Sequence, residues 1–402
     1  MRVLYFHQHF STPSGATGTR SYEMALKLIA RGHEVTVVCG SAQLGDTGLE
    51  APVHRGLRKG IVDGINVIEL VLPYSNHDGL LKRSLLFLKF AIRSVGIALT
   101  EKYDVLFATS TPLTACMPGI AMRFLKPRKR FIFEVRDLWP ELPKAMGVIR
   151  NPLILGAMGV LEWLGYRAAH ACIGLSPGIC EGIRTRSPKH RKISMIPNGC
   201  DLELFQAVTR DSDGPLKAIF TGAHGQANGL DAVLDAAGEL LRRKRHDIEI
   251  HFIGDGKRKP ALLDRKESEG LINCFFHDPI PKTELRERFK DVDVGLMILA
   301  NVPAFYYGTS PNKFFDYLAS GLPVLNNYPG WLAELLESEA CGLPVAPESP
   351  GAFADALEKF KDDPAERNQM GARARGLAER NFDRDKMSDE FVNFIEAMGV
   401  TQ

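Results

Sequence analysis

Two patterns of apolar residues alternate along the chain. Short unbroken apolar runs read as buried strands, and segments with apolar residues three or four apart read as helices. "RVLYF" opens the chain as such a run, followed by the glycine-rich loop "STPSGATGTR". "SYEMALKLIARG" has helical spacing and stops at Gly32, and "HEVTVVCG" is the next buried strand. "INVIELVL", "DVLFATS", "RFIFEVRD" and "ACIGLS" continue the strands, with helical patterns at about 80–100, 112–125 and 152–169 between them. Alternation of this kind predicts an α/β fold, a parallel sheet with helices on both faces.

A second series follows "MIPNGCDLELF" and the polar stretch "QAVTRDSDGP". It reads "LKAIFTG", helix 229–244, "IEIHFIGDG", helix 258–268, "INCFFHD", helix 281–290, "VGLMIL", helix 311–320 and "LPVLNN", then a largely helical region over 352–400. The boundary falls near 198–215, giving two doubly wound domains over 1–200 and 201–382. In such sheets ligands sit outside the carboxyl ends of the strands, where "TGAHGQANG", "GDGKR", "HDPIP" and "GTSPNKFFD" should gather.

The last of these carries the sharpest chemistry. In "SPNKFFDYLASGLPVL", residues 310–325, Ser310 has the chemistry of an N-cap and Pro311 suits a first helical position. The amides of Asn312 and Lys313 would then lie at a positive helix end beside a flexible ammonium, a site for a phosphate or diphosphate. Asp316, one turn on, can accept hydrogen bonds from sugar hydroxyls. The alternative is a solvated lysine and a helix-surface acid, or a simple salt bridge between the two.

Composition narrows the class. Hydrophobic content of 45% and charged content of 24% are those of an ordinary globular protein, and 402 residues suffice for two cores. A net charge of +2 argues against a dedicated nucleic-acid binder. The seven cysteines form no C-x-x-C pair, which fits a reducing cytoplasm and supplies no zinc framework. "MRVLYFHQHF" reads as a strand, not a signal peptide, and no run of 18 uncharged apolar residues suggests a membrane span.

Other segments carry weaker signals. Gly222, Gly225 and Gly229 between strand and helix, and Gly15 and Gly18 before Arg20, would let backbone approach a phosphate. Both loops also fit plain chain reversal, and neither has P-loop or dinucleotide spacing, which disfavours a nicotinamide enzyme. "FEVRDLWPELP" clusters Glu134, Arg136, Asp137, Trp139 and Glu141 at a strand end, either to position a sugar or as a structural ion pair. His7 and His9 share a strand face but lack a third metal ligand, so His9 is expected to line a cleft. "LLKRSLLFLKFAIRS", 80–94, mixes Lys82, Arg83, Lys89 and Arg93 with leucine and phenylalanine. Together with the cations of "RFLKPRKRFIF", this suits an anionic membrane surface as well as a core-facing helix.

Taken in order, "RGHEVTVV", "FEVRDLWPE", "LSPGI", "IPNGCDLELF", "GLDAVLDA", "FIGDG", "SPNKFFDYLASGLPVL" and "FDRDKM" resemble a family-4, GT-B-fold glycosyltransferase of the bacterial capsule and O-antigen type. The chain is also similar to transferases that add N-acetylated deoxyamino sugars such as N-acetylfucosamine to lipid-linked acceptors. The resemblance runs to about residue 395 and implies two Rossmann-like domains facing a cleft, with helix 383–397 crossing back onto the first. It implies retaining, metal-independent transfer from a nucleotide sugar, taken as a UDP-sugar, with no other cofactor. The acceptor would be a polyprenyl-diphosphate-linked glycan, and the enzyme would lie on the inner face of the cytoplasmic membrane.

Carried onto this chain, the resemblance assigns Lys313, Asn312, Thr309 and Ser310 to the diphosphate and Asp316 to the ribose. Gly222, His224 and Asn228 would lie near the diphosphate, Gly254, Asp255 and His277 would hold the base, and Gly15 and Gly18 would approach the donor. His9, Arg20, Glu134 and Trp139 would meet the acceptor, with Arg136, Asp137 and Lys313 at the reaction. Gly308 stands where relatives carry a first glutamate, and Ala223 and Asn228 where they carry an arginine and a lysine. Arg136 and Asp137 follow the strand where many have a histidine, and Lys313 is left as the one clear cation. A nucleotide-sugar epimerase and a non-catalytic nucleotide-sugar-binding protein are the alternatives.

Overall fold

The computed structural model describes residues 1–75, 78–187, 192–207 and 214–399; of the polar stretch expected at the boundary, 208–213 lie outside it. The chain divides into two compact units. One comprises Met1–Pro197, Gly308–Ser310 and Asp385–Gln402, and the other Asn198–Tyr307 and Pro311–Arg384. The division falls at Pro197, against the residue 200 expected.

The first unit runs β1 (Arg2–Phe6), α1 (Arg20–Ala30), β2 (Glu34–Ala42), β3 (Leu57–Val62), β4 (Ile65–Tyr74), α2 (Leu80–Thr100), β5 (Val105–Thr109), α3 (Met117–Leu125) and β6 (Arg130–Val135). It continues with α4 (Glu141–Ala145), α5 (Pro152–Ala168), β7 (Ala171–Gly174), α6 (Pro177–Arg186) and β8 (Lys192–Met195). Its sheet has the order β3-β4-β2-β1-β5-β6-β7-β8. Successive residues of β1 face opposite ways: Leu4 and Phe6 join a core with α2, α3 and α5, while Val3 and Tyr5 join one with α1.

Three strands escaped the periodicity argument: the short β8, the short strand Gly342–Pro344 of the second unit and the longer β3. β3 pairs antiparallel with β4, Val62 facing Ile65 across Asp63 and Gly64, both at positive φ (49° and 85°). Asp-Gly is the pair that a two-residue hairpin turn selects, so the signal was present in "VDGI".

The second unit runs β9 (Leu216–Thr221), α7 (Asp231–Arg242), β10 (Ile248–Ile253), α8 (Lys259–Ser268), β11 (Cys274–His277), α9 (Lys282–Lys290) and β12 (Val294–Met297). Next come α10 (Pro303–Tyr306), α11 (Asn312–Ala319), β13 (Val324–Asn326), α12 (Trp331–Ser338), β14 (Gly342–Pro344), α13 (Pro350–Asp362) and α14 (Pro364–Asn381). All its strand pairings are parallel, in the order β11-β10-β9-β12-β13-β14. Leu216, Ala218 and Phe220 of β9 bury against Val233, Leu234 and Ala237 of α7. The final helix, α15 (Arg384–Gly399), buries Phe391, Val392 and Ile395 in the first unit's core beside Tyr5 and Phe107.

In both sheets the chain winds outward from a central pair, β1/β5 in the first unit and β9/β12 in the second. Where winding reverses, the two flanking loops leave in opposite directions and open a crevice at the strands' carboxyl ends. Each unit is therefore a Rossmann-like parallel-sheet domain, and these two switch points are the places to look for chemistry.

Candidate active site

At the second unit's switch point, the loop after β9 meets helix α11, which follows β12. Lys313 reaches back over that loop. Its Nζ donates to Asn228 Oδ1 at 3.1 Å and stands 3.7 Å from the centre of the Phe220 ring. A Cβ on Gly222 would come within 3.3 Å of Lys313 Cε and Nζ, so glycine is what lets loop and ammonium approach each other. No carboxylate pairs with this ammonium among the described residues, and burial pushes its pKa down to about 7. A half-buried cation without an anionic partner is poised for one.

The helix start is one residue later than expected. Pro311 takes the N-cap position with no side-chain cap bond, so Ser310 lies outside the cap. The helix begins at Asn312, and its first amides have no carbonyl within the helix to donate to. Thr309, buried, and Ser310, half-buried, are grouped with the first unit.

Asp316 follows one turn along the same helix. It is 7% exposed, and no ion pair joins it to Lys313 among the described residues. Instead its Oδ1 lies 3.1 Å from Nζ of Lys282, which is also 3.6 Å from Asp201 and sits over the Phe205 ring. The contact is an ion pair, and Asp316 Oδ1 has no hydrogen-bond partner. Lys313 is thus not the only cation near this helix; Lys282, the first residue of α9, was missed because nothing in "PIPKTEL" points to a partner on α11.

The remaining loops lock together mainly through backbone. The His224 N–H donates to Asp255 O (2.9 Å), and its carbonyl accepts from Arg258 N–H (2.9 Å). The His224 ring is fully buried against Phe220, Phe252 and Phe276, with neither nitrogen hydrogen-bonded, and burial lowers its pKa to about 4. It is therefore a neutral wedge under the loop, not a charged partner for phosphate. Gly254 sits at φ 148° with no room for a Cβ, which would fall 1.9 Å from Gly222 O. Lys259 Nζ closes the edge, donating to Gly254 O, His277 O and Asp278 Oδ1 at 3.0 Å each. The His277 ring stacks on His251 of β10, 5.4 Å between centres, and its side chain is committed to that contact. Tyr317, which the sequence did not single out, accepts from Thr221 N–H (3.0 Å) and ties α11 to the end of β9.

The first unit gathers a separate set at its own switch point. The His7 ring is held between Ser21 Oγ (2.6 Å from Nδ1) and Arg136 Nη1 (3.4 Å from Nε2), and burial, then Arg136, hold its pKa well below the usual range. His9, half-buried, lies edge-on to Phe87; burial and then the Arg136 and Arg83 charges take its pKa to about 4. The Asp137 carboxylate accepts from the Thr111 hydroxyl (2.8 Å), and burial nevertheless raises its pKa. His7, His9, Arg136 and Asp137 are thus brought together as neutral imidazoles, a guanidinium and a carboxyl of raised proton affinity.

Arg20 and Glu134, expected to meet an acceptor, do something else. They are 2% and 1% exposed and joined at 2.8 Å. Arg20 also donates to Pro197 O and Ile196 O, while Glu134 accepts from the Thr109 hydroxyl. With their polar groups so occupied, they form an internal strut. Gly15 is likewise buried, a Cβ there falling 2.2 Å from Ser11 Oγ, whereas Gly18 is half-exposed in the loop before α1. Trp139 packs partly buried on the core, its indole N–H without a hydrogen-bond partner. Among the described residues, no group of three or more His, Cys, Asp or Glu side chains can hold a metal.

Comparison with known proteins agrees with this plan. A family described as "Glycosyl transferase 4-like domain" matches residues 15–199, and "Glycosyl transferases group 1" matches residues 203–377. Among solved structures, sucrose-phosphate synthase from Thermosynechococcus elongatus superposes with a TM-score of 0.76 at 16% identity, covering 98% of each chain. Anabaena HepE in complex with UDP-glucose gives 0.69 at 16% identity, covering 99% of this chain and 100% of that one. An E. coli structure described as trehalose-6-phosphate bound with UDP-2-fluoro glucose gives 0.71 at 12% identity over 100% of both chains. At these identities the likeness shows the fold. No curated protein matches the chain.

Proposed function

We propose that this chain, a glycosyltransferase joining a glycosyl transferase 4-like domain to a group 1 domain, moves a sugar from a UDP-sugar to a polyprenyl-diphosphate-linked acceptor. Transfer proceeds with retention and without a metal, in the assembly of a cell-surface polysaccharide such as O-antigen or capsule on the inner face of the cytoplasmic membrane.

The observation that carries this reading is Lys313: a half-buried ammonium with no carboxylate partner among the described residues, at a helix start, over a glycine loop at a switch point. Leaving-group charge is the largest barrier in such a transfer, and a preorganised cation with helix amides is the means of offsetting it without a metal. A solved relative of the same fold, Anabaena HepE, holds UDP-glucose, which favours uridine as the base. Asp137 and Arg136 then position the acceptor hydroxyl, the carboxyl's raised proton affinity suiting it to share the hydroxyl's proton.

Calorimetric titration with UDP, GDP and ADP in EDTA, repeated with Lys313→Ala, tests the reading. It predicts metal-free binding of UDP, weakened about tenfold or more by the substitution, as expected for losing a charge-assisted contact. Unchanged affinity in the variant, or no binding of any of the three, would overturn it.

A further inference from the structure

On one face of the first unit, helices α2, α3 and α5 lie side by side, α2 against α3 and α3 against α5, all three contributing to one core. Their outward surfaces should be polar. They are not.

In α2 the core-facing residues are Phe90, Ala91, Ser94 and Ala98. The exposed residues Leu81, Leu85, Leu88 and Ile92 repeat every three or four positions, so they form a separate apolar stripe turned away from the core. Lys82, Lys89 and Arg93 recur seven and four apart and make a third strip along its edge. Phe124 at the end of α3 is 75% exposed and stands beside the basic segment 126–130. The outer side of α5 repeats the pattern with Leu153, 82% exposed, Val160 and Trp163, next to Arg167 whose guanidinium lies over the Trp163 ring.

Charge decides what this surface fits. The three helices contain one carboxylate between them, Glu162, which is 1% exposed and bound by Arg186 at 2.7 Å. Their outer surface therefore combines large apolar side chains with cations and no exposed acid of its own, although at its edges Asp78 pairs with Lys82 at 2.6 Å and Asp104 with Lys129 at 3.5 Å. A protein partner would have to match a broad apolar layer bordered mainly by positive charge. An anionic bilayer offers both matches at once: acyl chains for the leucines, isoleucine and tryptophan, and headgroup charge for the lysines and arginines. Tryptophan and stacked arginine also suit the headgroup boundary, where one end is apolar and the other wet.

We infer that the outer surface of α2, α3 and α5 is a lipid-docking face that lies in the interface of an anionic membrane. The inference deepens the proposed function, resting on its lipid-linked acceptor, and it assigns to α3 and α5 a role equal to that of the basic helix α2. The helices lie in the plane of the surface and do not cross it, since no described helix is long and apolar enough to span a bilayer.

Vesicle flotation of the full chain tests this, with phosphatidylcholine alone and with phosphatidylcholine mixed with phosphatidylglycerol. The chain should float with the mixed vesicles and much less with the zwitterionic ones, and added salt should weaken the association. Leu88→Glu combined with Trp163→Glu should lower the partition coefficient about tenfold or more, because apolar insertion is lost on two helices. Both positions are exposed, so circular dichroism should show an unchanged fold, and Lys89→Glu gives an independent variant that reverses one charge of the match while leaving the Lys82–Asp78 pair in place. Failure of the parent chain to float with anionic vesicles, or flotation of both variants equal to that of the parent, overturns the inference. A concentration-dependent dimer that the same variants dissociate, without flotation, assigns the face to a second copy instead. UDP titration without vesicles reads the proposed function separately, so either can fail alone.

Discussion

Lys282 Nζ lies 3.1 Å from Asp316 Oδ1, and both side chains are about nine-tenths buried, at 11% and 9% exposure. The carboxylate expected to meet a ribose is thus paired with an ammonium from another helix. Removing one partner of a buried pair leaves an uncompensated charge, whereas removing both does not. Lys282→Met should therefore cost about 3 kcal/mol of stability. Adding Asp316→Leu should restore much of that loss, less than fully because Asp201 also faces Lys282 at 3.6 Å. Urea titration of the two single variants and the double variant measures the coupling; additive losses would show that the pair is not energetically joined.

Lys313 gives a pH signature. Its pKa stands at about 7 in the folded chain against 10.5 for an ordinary lysine, because of burial. Between those values the unfolded chain binds the extra proton, so this group makes stability rise with pH across about 7 to 10.5. Below about 7 both states are charged, and the full burial cost remains. Lys313→Met should flatten the slope in denaturation midpoints measured at several pH values.

The same residue predicts proton uptake on binding. A diphosphate beside the ammonium raises its pKa, so UDP affinity should fall as pH rises above 7, by up to about tenfold per pH unit. The calorimetric heat should then vary with the ionisation enthalpy of the buffer at pH 8. Absence of both effects would remove Lys313 from the diphosphate site.

Arg20 and Glu134 should behave as structure and not as chemistry. Glu134→Gln leaves the Arg20 guanidinium buried with a neutral partner, and the expected loss is about 3–5 kcal/mol in the first unit's unfolding transition. Its signature is lost stability with UDP affinity, read below the unfolding midpoint, unchanged. A variant of full stability but impaired acceptor use would return the pair to the acceptor site.

Gly254→Ala should disturb the loop beneath Lys313. A Cβ would fall 1.9 Å from Gly222 O at a backbone φ of 148°. Loop displacement should weaken UDP binding as well as lower the melting temperature. Gly270→Ala is the control: its φ is also positive, at 63°, but nothing lies within 4 Å, so it should cost only about 1 kcal/mol and leave binding intact.

How much of this was legible in advance follows from the range of each interaction. The parallel strands from "RVLYF" to "LPVLNN" and the helices between them could be read because strand and helix periodicity are local, and in both units those elements form as the pattern implies. The hairpin strand β3 was equally local and missed, since its Asp-Gly turn was not weighed against the surrounding polar residues. Lys313 stood out for its place at a helix start after a strand. Its desolvation did not, because Phe220 and Asn228 belong to a different loop.

The two Rossmann-like domains, the position of helix α11 and the amphipathic character of α2 are all legible in residue spacing within a few turns of chain. Tertiary structure alone decided which charges are spent inside the protein and which remain for a ligand. Arg20 with Glu134 and Lys282 with Asp316 pair across long separations. A charge becomes costly or useful only through the desolvation and partners that folding imposes, and neither is encoded by the residues beside it.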